Sequence, residues 1–374
     1  MQPRKVLAVT ALLTSGALAA AGCGSSSPGA SSTGAKTSGN SAATTSGNSA
    51  SGDSASGGSG SGTSGNGAVA SASSVTTPAA GSGKGKTLAL IEGTDADPFY
   101  ITMSCGAKAE AAKLGAKITV QGPPTFSAPQ QIPIVNSVTA SHPNAVLIAP
   151  TDDQALIAPM KQMKQAGITL VEVDTTVKDN SLAVSAISSN NYYGGELAAR
   201  TLAKLVGDKG SVVVINEQPG ISTTDARAQG FAAGMKAYPH IKVLSVQYDQ
   251  DNANTAASLV SSELAAHPNL SGIFAINTLT AGGVGTGLRQ AHAQGRVKVV
   301  GFDAEPQEIQ QLNSGVVDAL IVQQPALEGK VGVEEAIDAL DHKPVTKKIG
   351  TKLVAITKAN LSSMRSYVYK SSCS

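Results

Sequence analysis

One strand-and-helix plan occurs twice along this chain, and the two copies keep nearly the same spacing throughout. The β-rich run Thr87-Leu-Ala-Leu-Ile91 is repeated by Ser211-Val-Val-Val-Ile-Asn216, about 124 positions later. His142-Pro143-Asn144 leads into the apolar run Ala145 to Pro150, and His267-Pro268-Asn269 leads into Ser271 to Asn277, about 125 positions on. Leu170-Val-Glu-Val-Asp174 is echoed by Val299-Val-Gly-Phe-Asp303, at about 129. A period this long excludes a solenoid, whose units are about 20 to 50 residues, and describes two similar lobes. In each copy short β-rich runs alternate with helical patterns, which predicts an α/β fold with mostly parallel sheets. The first helix is marked at both ends. Asp97 is placed as its N-cap and Pro98 at its first position, Met103, Ala107, Ala111 and Leu114 share one face, and Gly115 ends it.

Open α/β sheets bind ligands beyond the carboxyl ends of their strands. Two lobes facing each other therefore enclose one shared cleft, with Asp174 and Asp303, each closing a strand, looking into it.

Ahead of the repeat, Arg4 and Lys5 precede an apolar stretch from Val6 to Ala21 of about 16 residues, short of the 18 to 20 of a stable membrane span. Residues 1–22 are expected to be a signal peptide. Ala20, Ala21 and Gly22 before Cys23 resemble the lipobox of bacterial lipoproteins, with Ala20 where leucine is favoured, and this resemblance implies lipidation of Cys23. Residues 23–85 are nearly all Gly, Ser, Ala, Thr and Asn, too polar and too small to offset the entropy of ordering. They are expected to form a disordered tether, with an r.m.s. reach of about 40 to 45 Å for roughly 60 such residues.

With Cys23 assigned to lipid, Cys105 and Cys373 remain, and in an oxidising compartment such a pair is expected to form a disulfide that pins the C-terminal tail to the first lobe. Net charge is +2 and aromatics are 3% of residues, so no basic stripe for nucleic acid is present. No cofactor and no metal are expected. Gly283-Val-Gly-Thr-Gly287 lacks the third glycine and the acidic partner of a dinucleotide loop, and is read instead as close helix packing. His142, His240, His267, His292 and His342 have no metal-ligand spacing, none is placed to activate Cys105, and no Gly-x-Ser-x-Gly elbow occurs in the folded region.

The segments Asp97-Pro-Phe-Tyr100, Gly220 to Phe231, Val300-Gly-Phe-Asp303 and Gln323-Gln-Pro325 resemble the ribose- and galactose-type periplasmic binding proteins that serve ABC transporters, over Lys86 to about Leu353. The resemblance implies a type I periplasmic binding protein fold: two similar Rossmann-like lobes with parallel sheets, joined by a multi-strand hinge. Residues 86–189 plus about 324–352 would form the N-terminal lobe, 190–323 plus about 353–366 the C-terminal lobe, and 367–374 the pinned tail. It also implies a sugar-like ligand held by Asp97, Phe99, Tyr100, Asp174 and Thr175 from the first lobe and Arg227, Asn277 and Asp303 from the second, with Gln323 near a hinge crossing. Carboxylates accept hydroxyl protons bidentately and arginine donates in a rigid fork, so these types suit a polyol. Two positions depart from the ribose-binding pattern. Thr175 stands where that pattern has arginine, and Gln250-Asp251 where it has an aromatic, for which Tyr192 and Tyr248 are the substitute candidates. Each residue also has an architectural role open to it: Asp97 as a cap, Asp174 and Asp303 in the turns after their strands, Phe99 and Tyr100 in the core, Arg227 paired with Asp225 or Asp303.

The expected protein is a single-copy receptor on the outer face of the cytoplasmic membrane, delivering its ligand to an ABC permease and its ATPase by hinge closure. Two other classes are an extracytoplasmic sensor presenting a small molecule to a signalling receptor and an extracellular carbohydrate-active enzyme, which would need paired carboxylates.

Overall fold

The structure, a computed structural model, describes residues 69–373. The signal segment, Cys23 and the tether up to residue 68 lie outside the described residues.

The strands sort into two sheets. The first contains β1 (Ala70–Ser71), β2 (Thr87–Ile91), β3 (Lys117–Gln121), β4 (Ala145–Ile148), β5 (Thr169–Val173), β6 (Ser185–Ser189) and β13 (Lys348–Thr351), in the order β1-β13-β6-β5-β4-β2-β3. Every pairing in it is parallel. The second contains β7 (Gly210–Asn216), β8 (Ile241–Val243), β9 (Gln247–Tyr248), β10 (Leu270–Ala275), β11 (Lys298–Phe302), β12 (Ala319–Val322) and β14 (Val354–Thr357). Its order is β14-β12-β11-β10-β7-β8, with β9 also on β7, and only the β12 and β14 pair is antiparallel. The repeat seen in the sequence is thus a repeat of sheet topology: β3-β2-β4-β5-β6 answers β8-β7-β10-β11-β12.

Strands such as β4 and β10 are apolar on successive residues because helices cover both faces of a parallel sheet. The helices are α1 (Pro98–Leu114), α2 (Ala128–Ala140), α3 (Ile157–Gln165), α4 (Asn191–Val206), α5 (Ser222–Met235), α6 (Ala253–Ala266), α7 (Thr278–Gln290), α8 (Pro306–Ser314) and α9 (Pro325–Leu340). None among the described residues is long and apolar enough to cross a membrane. As the sequence predicts, Asp97 caps α1, Pro98 opens it and Gly115 closes it with φ of 80°.

The chain passes between the sheets three times. It leaves β6 for α4, which packs on β10 and β11; it leaves β12 for α9, which packs on α1 and β4 to β6; and it leaves β13 for β14. Glycines let the paired helices meet backbone to backbone. A Cβ on Gly106 would lie 2.0 Å from Ala326 O where α1 meets α9, and one on Gly230 would lie 1.9 Å from Tyr192 O where α5 meets the start of α4. The Gly283 and Gly287 pair does the same work between α7 and α6, where added Cβ atoms would lie 2.3 Å from Ala253 O and 2.7 Å from Ala257 O.

The expected tether is corrected at its C-terminal end. Ala70 and Ser71 pair with Ile349 and Gly350, Ala72 is buried, and the Gly83 N–H donates to Leu114 O at 2.8 Å. A Gly/Ser-rich segment cannot build a core of its own, but an existing sheet edge offers it backbone partners at no cost in side-chain packing. The cysteines meet the expectation: Cys105 on α1 is bonded to Cys373, with Cα atoms 5.2 Å apart.

Candidate ligand-binding cleft

The candidate residues sit in the loops that follow the carboxyl ends of the strands or on the helices those loops lead into. Asp174 follows β5 and Asp303 follows β11, and the two share an unusual backbone. Their φ angles are 62° and 91°, a region in which aspartate is tolerated better than most residues. The N–H of each donates at 2.8 Å to the next strand, to Ile187 O and Ile321 O. The same bond in both lobes turns the chain sharply at the sheet edge and sends each carboxylate into the space between the sheets.

The first lobe supplies one wall. Asp97 Oδ1 accepts the Phe99 N–H at 2.7 Å as the cap of α1, while Oδ2 accepts the Thr278 hydroxyl across the cleft at 3.4 Å. Capping and facing the cleft are therefore one placement. Tyr100 donates to Asp174 Oδ2 at 2.7 Å. Its ring meets Phe99 edge-on at 5.1 Å and lies near-parallel to Phe126 at 6.4 Å. Phe99 and Tyr100 belong to the core and line the cavity at once.

The second lobe supplies the other wall. Arg227, on α5, is 3% exposed. Its guanidinium carbon stacks 3.7 Å above the Phe302 ring, Nε donates to Asn191 Oδ1 at 2.8 Å, and Nη1 donates to Ile276 O at 3.0 Å and lies 3.9 Å from Asp303 Oδ2. Asn277 caps α7 through Oδ1, and its Nδ2 donates to Asp251 Oδ1 at 3.0 Å and Glu217 Oε2 at 3.4 Å. Asp303 Oδ1 accepts from Gln323 Nε2 at 2.7 Å and from the Tyr369 hydroxyl at 2.8 Å.

Between these walls lies a cavity of about 350 Å³, lined from both lobes. Two further hydrogen bonds join the lobes, Asp153 N–H donating to Gly220 O at 3.1 Å and Thr176 N–H donating to Ser222 Oγ at 2.9 Å. Of the residues picked from the sequence, Asp97, Phe99, Tyr100, Asp174, Arg227, Asn277, Asp303 and Gln323 line it together. Thr175 does not. The turn at Asp174 directs the next side chain back into the first lobe, where the Thr175 hydroxyl donates to Pro150 O at 2.7 Å and the residue is 1% exposed. Tyr192 and Tyr248 are also corrected: both are exposed and neither lines the cavity, whose further aromatic is Phe126 from the first lobe. Glu217, Asp251, Thr278 and Glu305, with four threonines, Thr94, Thr125, Thr223 and Thr224, complete the polar lining and are not among the residues the sequence points to.

Carboxylates outnumber cations on these walls, and burial governs their protonation. Burial pushes Asp97 up to about 8, against the Phe99 N–H that favours its charge. It pushes Asp174 to about 6, with the Tyr100 hydroxyl and Arg227 holding it back, and Glu305 to about 7. Glu217 is raised well above the usual range by burial and by the neighbouring Asp251. Asp303 is also raised by burial, opposed by Arg227, Gln323 and Tyr369. The cleft is thus a mixed donor and acceptor surface beside an apolar face of Phe99, Tyr100 and Phe126. Among the described residues no group of three or more His, Cys, Asp or Glu is arranged to hold a metal ion.

Two topologically equivalent α/β lobes, three crossings and a shared cavity at the strand ends define a two-lobed binding protein. Comparison with known proteins gives the family. Residues 88–344 match the periplasmic binding protein domain, and the chain belongs to that family. It is 31% identical to the ribose import binding protein of Escherichia coli K12 over 73% of this chain and 90% of that one. It is 28% identical to the D-apiose import binding protein of Paraburkholderia graminis over 78% of this chain and 94% of the other. Among solved structures, it is similar to an ABC transporter solute-binding protein from Agrobacterium vitis bound with α-D-tagatopyranose. That likeness has a TM-score of 0.75 and 41% identity, covering 76% of this chain and 99% of that one.

Proposed function

We propose that this chain is the extracytoplasmic substrate-binding protein of an ABC importer and that its ligand is a monosaccharide or related polyol. The observation that carries the reading is the cavity of about 350 Å³ between the lobes, to which both contribute polar side chains beyond their strand ends. That volume is at the small end of small-molecule sites and suits a ligand of monosaccharide size. Its relatives are sugar-binding import proteins rather than enzymes, and this chain is read likewise as a carrier that returns its ligand unchanged.

In this reading Asp97, Asp174 and Asp303 engage ligand hydroxyls, Arg227 and Asn277 donate, and Phe99, Tyr100 and Phe126 cover the apolar face of the ring. Gln323, buried beside Asp303 at the second crossing, orients that carboxylate. Opening and closing about the three crossings admits and encloses the ligand, and the closed form is the one a permease with its ATPase would recognise. Acylation at Cys23, following the small residues that precede it, would hold a single copy at the outer face of the membrane.

A thermal-shift panel of pentoses, hexoses and polyols, including D-tagatose, D-ribose and D-apiose, tests the proposal. A ligand at 100 times its Kd stabilises the folded state by about 2.7 kcal/mol, a shift of several degrees. Arg227→Ala and Asp303→Ala are expected to abolish the shift while the far-UV spectrum stays native. Full affinity in both variants would overturn the site assignment, and conversion of the sugar to a product would overturn the carrier reading.

A further inference from the structure

Each strand-end aspartate is held by a tyrosine, but the two tyrosines come from different places. In the first lobe Tyr100, in the first turn of α1, donates to Asp174. The second lobe has no such residue on α5. Gly106 and Gly230 are both close-packed helix-crossing glycines and stand 124 positions apart, so the α5 counterpart of Tyr100 is Thr224, whose side chain is too short for the task. Asp303 is held instead by Tyr369, which lies beyond both copies of the repeat, after the last strand.

Tyr369 is 3% exposed, and its ring lies edge-on to Phe99 with centroids 5.8 Å apart. Its hydroxyl donates to Asp303 Oδ1 at 2.8 Å and accepts the Gln323 N–H at 3.2 Å, and its own N–H donates to Ala304 O at 3.0 Å. At the next residue the chain is already on the first lobe: Lys370 N–H donates to Thr102 Oγ1 at 2.7 Å, and Cys373 is bonded to Cys105, both partners being on α1. Tyr369 is not a cavity-lining residue, so any effect it has on a ligand passes through Asp303.

We propose that the C-terminal tail is a fourth connection between the lobes, closed by the Cys105 and Cys373 disulfide, and that Tyr369 is the positioning residue that fixes the Asp303 carboxylate toward the cleft. A φ of 91° is costly for aspartate and persists only where the surroundings hold it. Gln323 and Tyr369 both donate to Oδ1, which leaves Oδ2 for Arg227 and for the ligand. The other charged groups acting on Asp303 or acted on by it are the carboxyls of Asp97 on the first lobe, Asp174 after β5, and Glu305 and Glu308 at α8. Its charge raises the titration points of all four, while its own is raised by burial and held back by Arg227, Gln323 and Tyr369, so each of these donors carries weight.

This inference rests on the cleft being the ligand site, and the experiment separates the two. Tyr369→Phe keeps the ring against Phe99 and removes only the hydroxyl. With D-tagatose as the calorimetric probe, its Kd is expected to rise about tenfold or more, the size of one lost hydrogen bond to a charged group. In the unliganded protein the Asp303 carboxyl carbon, assigned by comparison with Asp303→Asn, is expected to titrate at higher pH in Tyr369→Phe than in the wild type. The Cys105→Ser/Cys373→Ser variant is expected to weaken D-tagatose binding in the same direction, and adding Tyr369→Phe to it to cost less than it does with the disulfide intact. An Asp303 titration unmoved by Tyr369→Phe, or full additivity of the two changes, overturns the proposal. Should the wild type bind no sugar at all, the sugar reading falls, and the Asp303 titration still decides the role of Tyr369.

Discussion

Asp97 shows how a structural residue becomes a recognition residue without moving. One oxygen accepts the Phe99 N–H and starts α1, while the other faces Thr278 across the cleft. With its titration point raised to about 8, the carboxyl is mostly protonated at neutral pH and resembles an amide in its capacity to donate and accept. Asp97→Asn, an equally good cap, is therefore expected to stay within about fivefold of wild-type affinity at pH 7, whereas Asp97→Ala loses about 1 kcal/mol of stability with the cap and at least tenfold in affinity. Calorimetric titration and urea denaturation check the pair. Arg227 is less replaceable. Its flat guanidinium lies on Phe302 while two edges donate, and lysine has neither plane nor fork. Arg227→Lys is expected to weaken sugar binding at least tenfold despite keeping the charge.

At the scale of elements, the helix crossings set the precision of the cleft. Arg227 stands one turn before Gly230, and a methyl group there would overlap the Tyr192 carbonyl, forcing α5 away from α4. Gly230→Ala is expected to destabilise by about 1 to 3 kcal/mol and to weaken binding with it. Gly282→Ala on α7, whose Cβ would meet only Gln307 Nε2 at 3.5 Å, is expected to stabilise by up to about 1 kcal/mol. Equilibrium urea unfolding of both variants reads the difference. The strands, the α1 cap and the paired aspartates were legible in the sequence because each repeats at one offset or follows a local rule. Thr175 was misplaced because the left-handed turn at Asp174 reverses the alternation that a strand would have continued. Phe126, Glu217 and Asp251 lie in loops, where no periodicity says which way a side chain faces. Tyr369 was invisible for a different reason: it does on the second lobe what Tyr100 does on the first, from outside the repeat that made Tyr100 noticeable.

At the scale of the whole molecule, the buried carboxyls give an uncommon pH dependence. Glu92, Asp97 and Glu328 are raised to about 8, and Glu172 and Glu305 to about 7, in each case chiefly by burial. Unfolded carboxyls titrate near 4, so between about pH 4 and 8 the native state binds more protons than the unfolded one, and stability falls as pH rises. The melting temperature of the unliganded protein is expected to increase as pH is lowered from 8 to 5, and calorimetric scans at fixed ionic strength would reveal a flat or opposite trend. The edge strand β1 bears on a separate property. Ala70 and Ser71 pair with β13 alone, at the outer edge of the first sheet, and the turn that follows at Ala72–Ser74 lies against α9. The described chain therefore enters the molecule at the rim of the first lobe, on the very strand that leads into the third crossing.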